Sequence, residues 1–201
     1  MERLVVLPTQ LGLYEYMLVA QPDAAVNEKL LAEKQHLVNQ RTVNNNNNAS
    51  HIKVASFLAS EPMEETIIRY MQRIISKQQS FEVALNNYSG YPPHTIYLRI
   101  QDPQPFKHLA NELKAISNYV SSCSCPLPKF ISHPHLLVAK QLPDNIYLQT
   151  LMDYSKKTFH ETFMVDQLVL LRRNNKYETA KAVQVFKLQP VAPKPLSSFY
   201  N

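Results

Sequence analysis

Three of the seven histidines in this 201-residue chain stand where strand-like runs begin. His51 opens "HIKVASFLA", and His133 and His135 open "HPHLLVAKQ". Imidazole titrates near neutral pH, so one ring can accept a proton while another donates one. Two such rings across one cleft are the minimum equipment for splitting a phosphodiester. A base activates the nucleophile, and an acid protonates the leaving oxygen. Side chains alternate faces along a strand. His51 therefore shares a face with Lys53, and His133 and His135 share one with Leu137. An ammonium at Lys53 would hold phosphate as a point charge. A strained 2′,3′-cyclic phosphate suits this chemistry, because ring strain already lowers the barrier. A three-histidine zinc site built from His51, His133 and His135 is the competing reading. It lacks a carboxylate general base near the motifs.

Composition narrows the choice. The chain has two glycines, Gly12 and Gly90. A phosphate-cradling P-loop or a dinucleotide fingerprint needs clustered glycines for close backbone approach, so side chains must do much of any phosphate binding. Net charge is +5, compatible with a phosphate-bearing partner without being a nucleic-acid signature. Cys123 and Cys125 are too few for a disulfide framework or a four-cysteine zinc site. "LVVLP" is too short for a signal segment and is broken by Pro8. No run approaches the roughly 20 apolar residues of a membrane span. The expectation is a soluble cytoplasmic monomer with no cofactor or metal and no membrane contact.

Positioning the histidines requires strands and helices in a repeating order. Strands are expected at 14–20, 51–59, 80–85, 95–101, 133–141, 163–173 and 177–188, and helices at 22–38, 61–78, 105–120 and 144–157. "NNYSGYPPH" reads as a turn, the asparagine run 44–48 as a loop, Arg172-Arg173 as part of a solvated hairpin turn, and 189–201 as a proline-rich tail. His36, His94, His108 and His160 read as surface or packing residues. The order restarts near residue 95, giving lobe-forming repeats of about 14–94 and 95–188 within a single domain spanning 1–201. His51 and His135 lie 84 residues apart, and Phe81-Glu82-Val83 is matched with Phe163-Met164-Val165 at a similar offset of 82. Equivalent strands of pseudo-symmetric lobes would bring equivalent histidines to one groove.

The motifs His51-Ile52-Lys53-Val54 and His135-Leu136-Leu137-Val138, the second preceded by Pro134, resemble the paired His–x–Thr/Ser–x motifs of the 2H phosphoesterase superfamily. The likeness is to its 2′–5′ RNA ligase-like and cyclic phosphodiesterase members. It implies an α+β fold: a bilobal pseudo-symmetric duplication, two antiparallel-rich sheets lining a central groove with helices outside. It also implies a metal-independent hydrolase of RNA ends or cyclic nucleotides, with His51 and His135 as the catalytic pair. Lys53 and Leu137 stand where the family carries hydroxyls that hold phosphate. Lys53 can take over that role, Leu137 is a degenerate position, and His133 is placed as a substrate-binding partner. The alternative on the same fold is a catalytically silent RNA- or nucleotide-binding module.

Overall fold

The computed structural model describes residues 12–41, 50–92, 94–175 and 177–191, with the side chains of 40 and 41 left aside. The asparagine run, "LVVLP" and nearly all of the proline-rich tail lie outside the described residues.

The chain begins with β1 (Leu13–Ala20), α1 (Ala24–Arg41), β2 (Ile52–Ser60), α2 (Glu64–Ile75) and β3 (Phe81–Tyr91). It continues with β4 (Thr95–Ile100), α3 (Gln104–Leu113), α4 (Ile116–Ser122), β5 (Lys129–Phe130), β6 (His135–Ala139) and α5 (Asp144–Ser155). It closes with β7 (His160–Val165), β8 (Gln167–Arg173) and β9 (Lys181–Lys187). Two sheets form, in the orders β5-β2-β1-β8-β9 and β6-β4-β3-β7. Their strand pairs are antiparallel. This is the α+β, two-sheet fold expected from the sequence. Helix α2 packs against β9 and α3 against β2, covering the five-stranded sheet. Helices α1 and α5 cover the other, against β6 and β7 and against β3 and β4.

The pseudo-symmetry works by exchange. Each half lays its first two long strands side by side, β1 with β2 and β4 with β6. A later strand then joins the opposite sheet, β3 beside β4 and, after β7, β8 beside β1. The Phe81 and Phe163 segments are therefore direct neighbours, with Phe81 opposite Val165 and Val83 opposite Phe163. By sheet position the counterpart of β3 is β8, not β7, which corrects that sequence match.

Several elements also differ from the sequence reading. The 105–120 helix breaks at Lys114-Ala115, where Lys114 N–H donates to Asn111 O and Ala115 N–H to Glu112 O. These tighter i→i−3 bonds turn the axis so that both Leu113 and Ile116 stay buried. The 163–173 strand is two strands meeting at Asp166, where the chain passes from one sheet to the other. Strand β3 runs on through most of the expected turn. It does so with a bulge at Asn86-Asn87, where Asn87 has φ 56°. Asparagine tolerates that left-handed backbone, and Asn87 Oδ1 accepts the Phe159 N–H at 3.0 Å. The two-residue β5, paired with β2, was not foreseen.

A candidate active-site groove

Strands β2 and β6 share a backbone device. On β2 the register with β1 slips between Leu18–Ala55 and Val19–Lys53, leaving Val54 over. On β6 the register with β4 slips between Ile96–Ala139 and Tyr97–Leu137, leaving Val138 over. Each extra residue stands three places after its histidine, as 54 − 51 = 3 and 138 − 135 = 3. Bulges bend a strand and re-aim its side chains. The match makes His135, not His133, the counterpart of His51.

His51, Lys53, His135 and Leu137 border one groove of about 720 Å³. Between them Ile52, Val54, Leu136 and Val138 point into the core, none more than 1 % exposed. The alternation foreseen in the sequence thus places both imidazoles in a common trough. His135 is half-buried and held on two sides. Its Nδ1 lies 2.8 Å from the His133 carbonyl oxygen. A carbonyl only accepts, so Nδ1 carries the hydrogen and Nε2 is left as the nitrogen that gains and loses a proton. Its ring lies 5.0 Å from Tyr97 and 5.7 Å from Tyr91, and the two tyrosines stack at 4.7 Å.

His133 falls in the bend before β6, where strand alternation does not reach. Its exposed ring bonds Ser132 Oγ at 2.9 Å and is not among the side chains bordering the groove. What it supplies is the carbonyl that orients His135. Among the described residues no cluster of three or more His, Cys, Asp or Glu side chains is placed to hold a metal, so the three-histidine zinc arrangement does not assemble.

Lys53 is exposed to the groove yet closely walled. Desolvation lowers its pKa, Glu15 opposes the fall, and Arg173, Lys140 and Lys129 add to it. Three of the groove residues that escaped sequence reasoning are Arg173, Lys34 and Ser50. Arg173 is no part of a solvated turn. It ends β8, borders the groove, and donates to Glu15 Oε2 from Nε at 2.8 Å and Nη2 at 2.6 Å. Its neighbour Arg172 points elsewhere, to Glu64 at 2.9 Å and Glu61 at 3.3 Å, over the Tyr14 ring. The other two are Lys34 and Ser50, both buried at the groove wall. Burial also lowers the Lys34 pKa. Helical periodicity had a usable signal for it, since Val26, Leu30, Lys34 and Leu37 form the buried stripe of α1 while Leu31 faces out.

The family model of the 2′-5′ RNA ligase superfamily matches residues 28–176. No curated protein matches the chain by sequence. Among solved structures, TT0787 of Thermus thermophilus superposes with a TM-score of 0.65 at 14 % identity, covering 89 % of this chain and 100 % of that one. E. coli LigT in its apo form gives 0.63 at 13 % identity, covering 89 % and 99 %. E. coli LigT complexed with 3′-AMP gives 0.58 at 14 % identity, covering 88 % and 99 %. At these identities the solved structures show a common fold. Among the described residues no helix is long and apolar enough to cross a membrane.

Proposed function

The chain belongs to the 2′-5′ RNA ligase superfamily, and on that premise we propose that it is a metal-independent phosphoesterase of 2′,3′-cyclic phosphates or related RNA-end phosphodiesters. The supporting observation is the pair of imidazoles, His51 and His135, bordering one groove at equivalent points beside equivalent bulges. In hydrolysis one neutral imidazole takes a proton from water as the water oxygen bonds to phosphorus. The bond from phosphorus to the ribose oxygen breaks, and the other ring, protonated, gives its proton to that oxygen. An RNA hydroxyl attacking phosphorus in place of water, with the same two proton transfers, would give the ligation product. Each ring contributes about 10²–10⁴-fold. Lys53 holds the phosphate oxygens. The nucleotide complex of E. coli LigT is consistent with a nucleotide in this groove.

The experiment is hydrolysis of adenosine 2′,3′-cyclic phosphate. Turnover is expected to survive excess chelator and to collapse in both His51→Ala and His135→Ala. Leu137 favours a second reading, since an aliphatic side chain in the groove cannot donate a hydrogen bond to phosphate. A chain that binds the nucleotide and never turns it over would be a silent binding module.

A further inference from the structure

The paired bulges set the two sheets in register, residue by residue. Val19 of β1 stands opposite Lys53, and Tyr97 of β4 stands opposite Leu137. One strand further in, Leu171 of β8 stands opposite Met17, and Tyr91 of β3 stands opposite Thr95. Met17 and Thr95 lie equally far from the first pair, as 19 − 17 = 2 and 97 − 95 = 2. Tyr97 is therefore the counterpart of Val19, and Tyr91 that of Leu171. Residues opposite each other in a ladder share a face, so both tyrosines stand on the face of the sheet that carries Leu137.

The aliphatic positions are covered within the chain. Met17, Val19 and Val169 are no more than 6 % exposed, with Leu171 and Ala180 packed on them. The tyrosine positions are open. Tyr91 is 39 % exposed and Tyr97 is half-buried. Strand β9 flanks Leu171 through Ala182, whereas the β7 ladder ends at Asn86. Among the described residues no strand flanks Tyr91 in the way that β9 flanks Leu171.

The open rings form a surface beside the catalytic pair. Tyr91 and Tyr97 stack at 4.7 Å with their planes 22° apart. Their centroids lie 5.7 Å and 5.0 Å from that of the His135 ring. The backbone under them is fixed. Tyr91 pairs with Thr95 across the hairpin. Gly90 sits so close to α5 that an added Cβ would lie 2.6 Å from Tyr147 Oη and 3.0 Å from Leu151 Cδ1. A preorganised aromatic pair has little freedom to lose when a further ring is laid on it.

We propose that Tyr91, backed by Tyr97, is the platform on which the nucleobase of the substrate stacks. The platform rests on the two-histidine reading, which places the phosphate beside His135. The ribose then spans from that ring to the tyrosines. Unpaired bases stack on exposed aromatic side chains, and every base has a π-face. The platform therefore accepts any base and favours purines, whose larger ring system covers more of it. The ligand class is a nucleoside 2′,3′-cyclic phosphate or an RNA end with an unpaired terminal base, in preference to a phosphodiester without a base.

The test compares adenosine 2′,3′-cyclic phosphate with methyl riboside 2′,3′-cyclic phosphate, which has the same reacting group and no base. For Tyr91→Leu the expected rise in KM on the adenosine substrate is about 5- to 100-fold, the worth of one stacked base. KM on the base-free substrate stays at the parent value. Tyr91→Phe keeps the parent KM on both, because the ring face is retained while the hydroxyl is lost. Equal penalties on the two substrates, as a loss of packing would give, overturn the platform. So does the absence of any penalty, as a docking site for another chain would give. Calorimetry separates this from failure of the catalytic reading. In a chain without turnover, a preference for 3′-AMP over ribose 3-phosphate that falls in Tyr91→Leu upholds the platform. A preference that is absent from the parent chain, or unchanged in the variant, overturns it.

Discussion

Strands β2 and β6 have the same backbone and different chemistry. Each has a histidine at its entry, His51 just before β2 and His135 as the first residue of β6, buries an aliphatic residue next to it, and places its bulge three residues on. On β2 the groove-facing follower is Lys53, within the field of Glu15, Arg173, Lys140 and Lys129. On β6 it is Leu137, paired across the ladder with Tyr97, whose ring backs His135 and stacks on Tyr91. One wall is charged and the other aliphatic and aromatic. The difference shows where the duplicated plan is held. Core-facing positions fix the strand in its sheet, because a change there leaves a cavity or forces overpacking. Groove-facing positions carry no such constraint and are free to specialise.

The largest expected effect tests what the two walls share. His51→Ala and His135→Ala should each lower kcat by about 10²–10⁴-fold, measured as initial rates on adenosine 2′,3′-cyclic phosphate. A loss confined to one variant would mean that only one wall does chemistry. The next effect tests the charged wall. Lys53→Met should raise KM by about tenfold or more, since a hydrogen bond from a charged group is worth about 1.5–3 kcal/mol. The aromatic wall is tested by gain. Leu137→Thr should raise kcat/KM by about 2- to 10-fold, the worth of one neutral hydrogen bond to phosphate. No gain would mean that the phosphate lies against β2 alone.

The smallest effect is in the pH profile. Lys53 binds phosphate through its ammonium, and burial holds its pKa below the ordinary 10.5. KM should therefore begin to rise at a lower pH than an unperturbed lysine would dictate. Lys53→Arg, which stays charged, should flatten that alkaline limb. An unaltered limb would assign it to another group.

Much of this was legible in the sequence because it depends on period. Alternation put Ile52, Val54, Leu136 and Val138 inward and both histidines outward, and the 84-residue offset survives in the bulges. What failed depended on long-range pairing. Phe81 and Phe163 look like repeats, yet strand exchange makes them neighbours. Alternation put His133 on the groove face beside His135, but the strand begins at His135. Arg173 sits in a basic pair that reads as a turn, and only the β1–β8 ladder, with Glu15 opposite it, shows that it reaches the groove wall. Lys34 and Ser50 are buried against the preference of their residue types. The phase of α1 hints at the first, and nothing local in the connection before β2 hints at the second.

The account stands on two rings serving one phosphate, and imidazole nitrogen NMR reads that directly. In a titration with adenosine 2′-phosphate, the account predicts that His51 and His135 signals shift together with one dissociation constant. It also predicts that His135 Nδ1 stays protonated throughout. A shift in only one ring, or two unrelated binding curves, would contradict it.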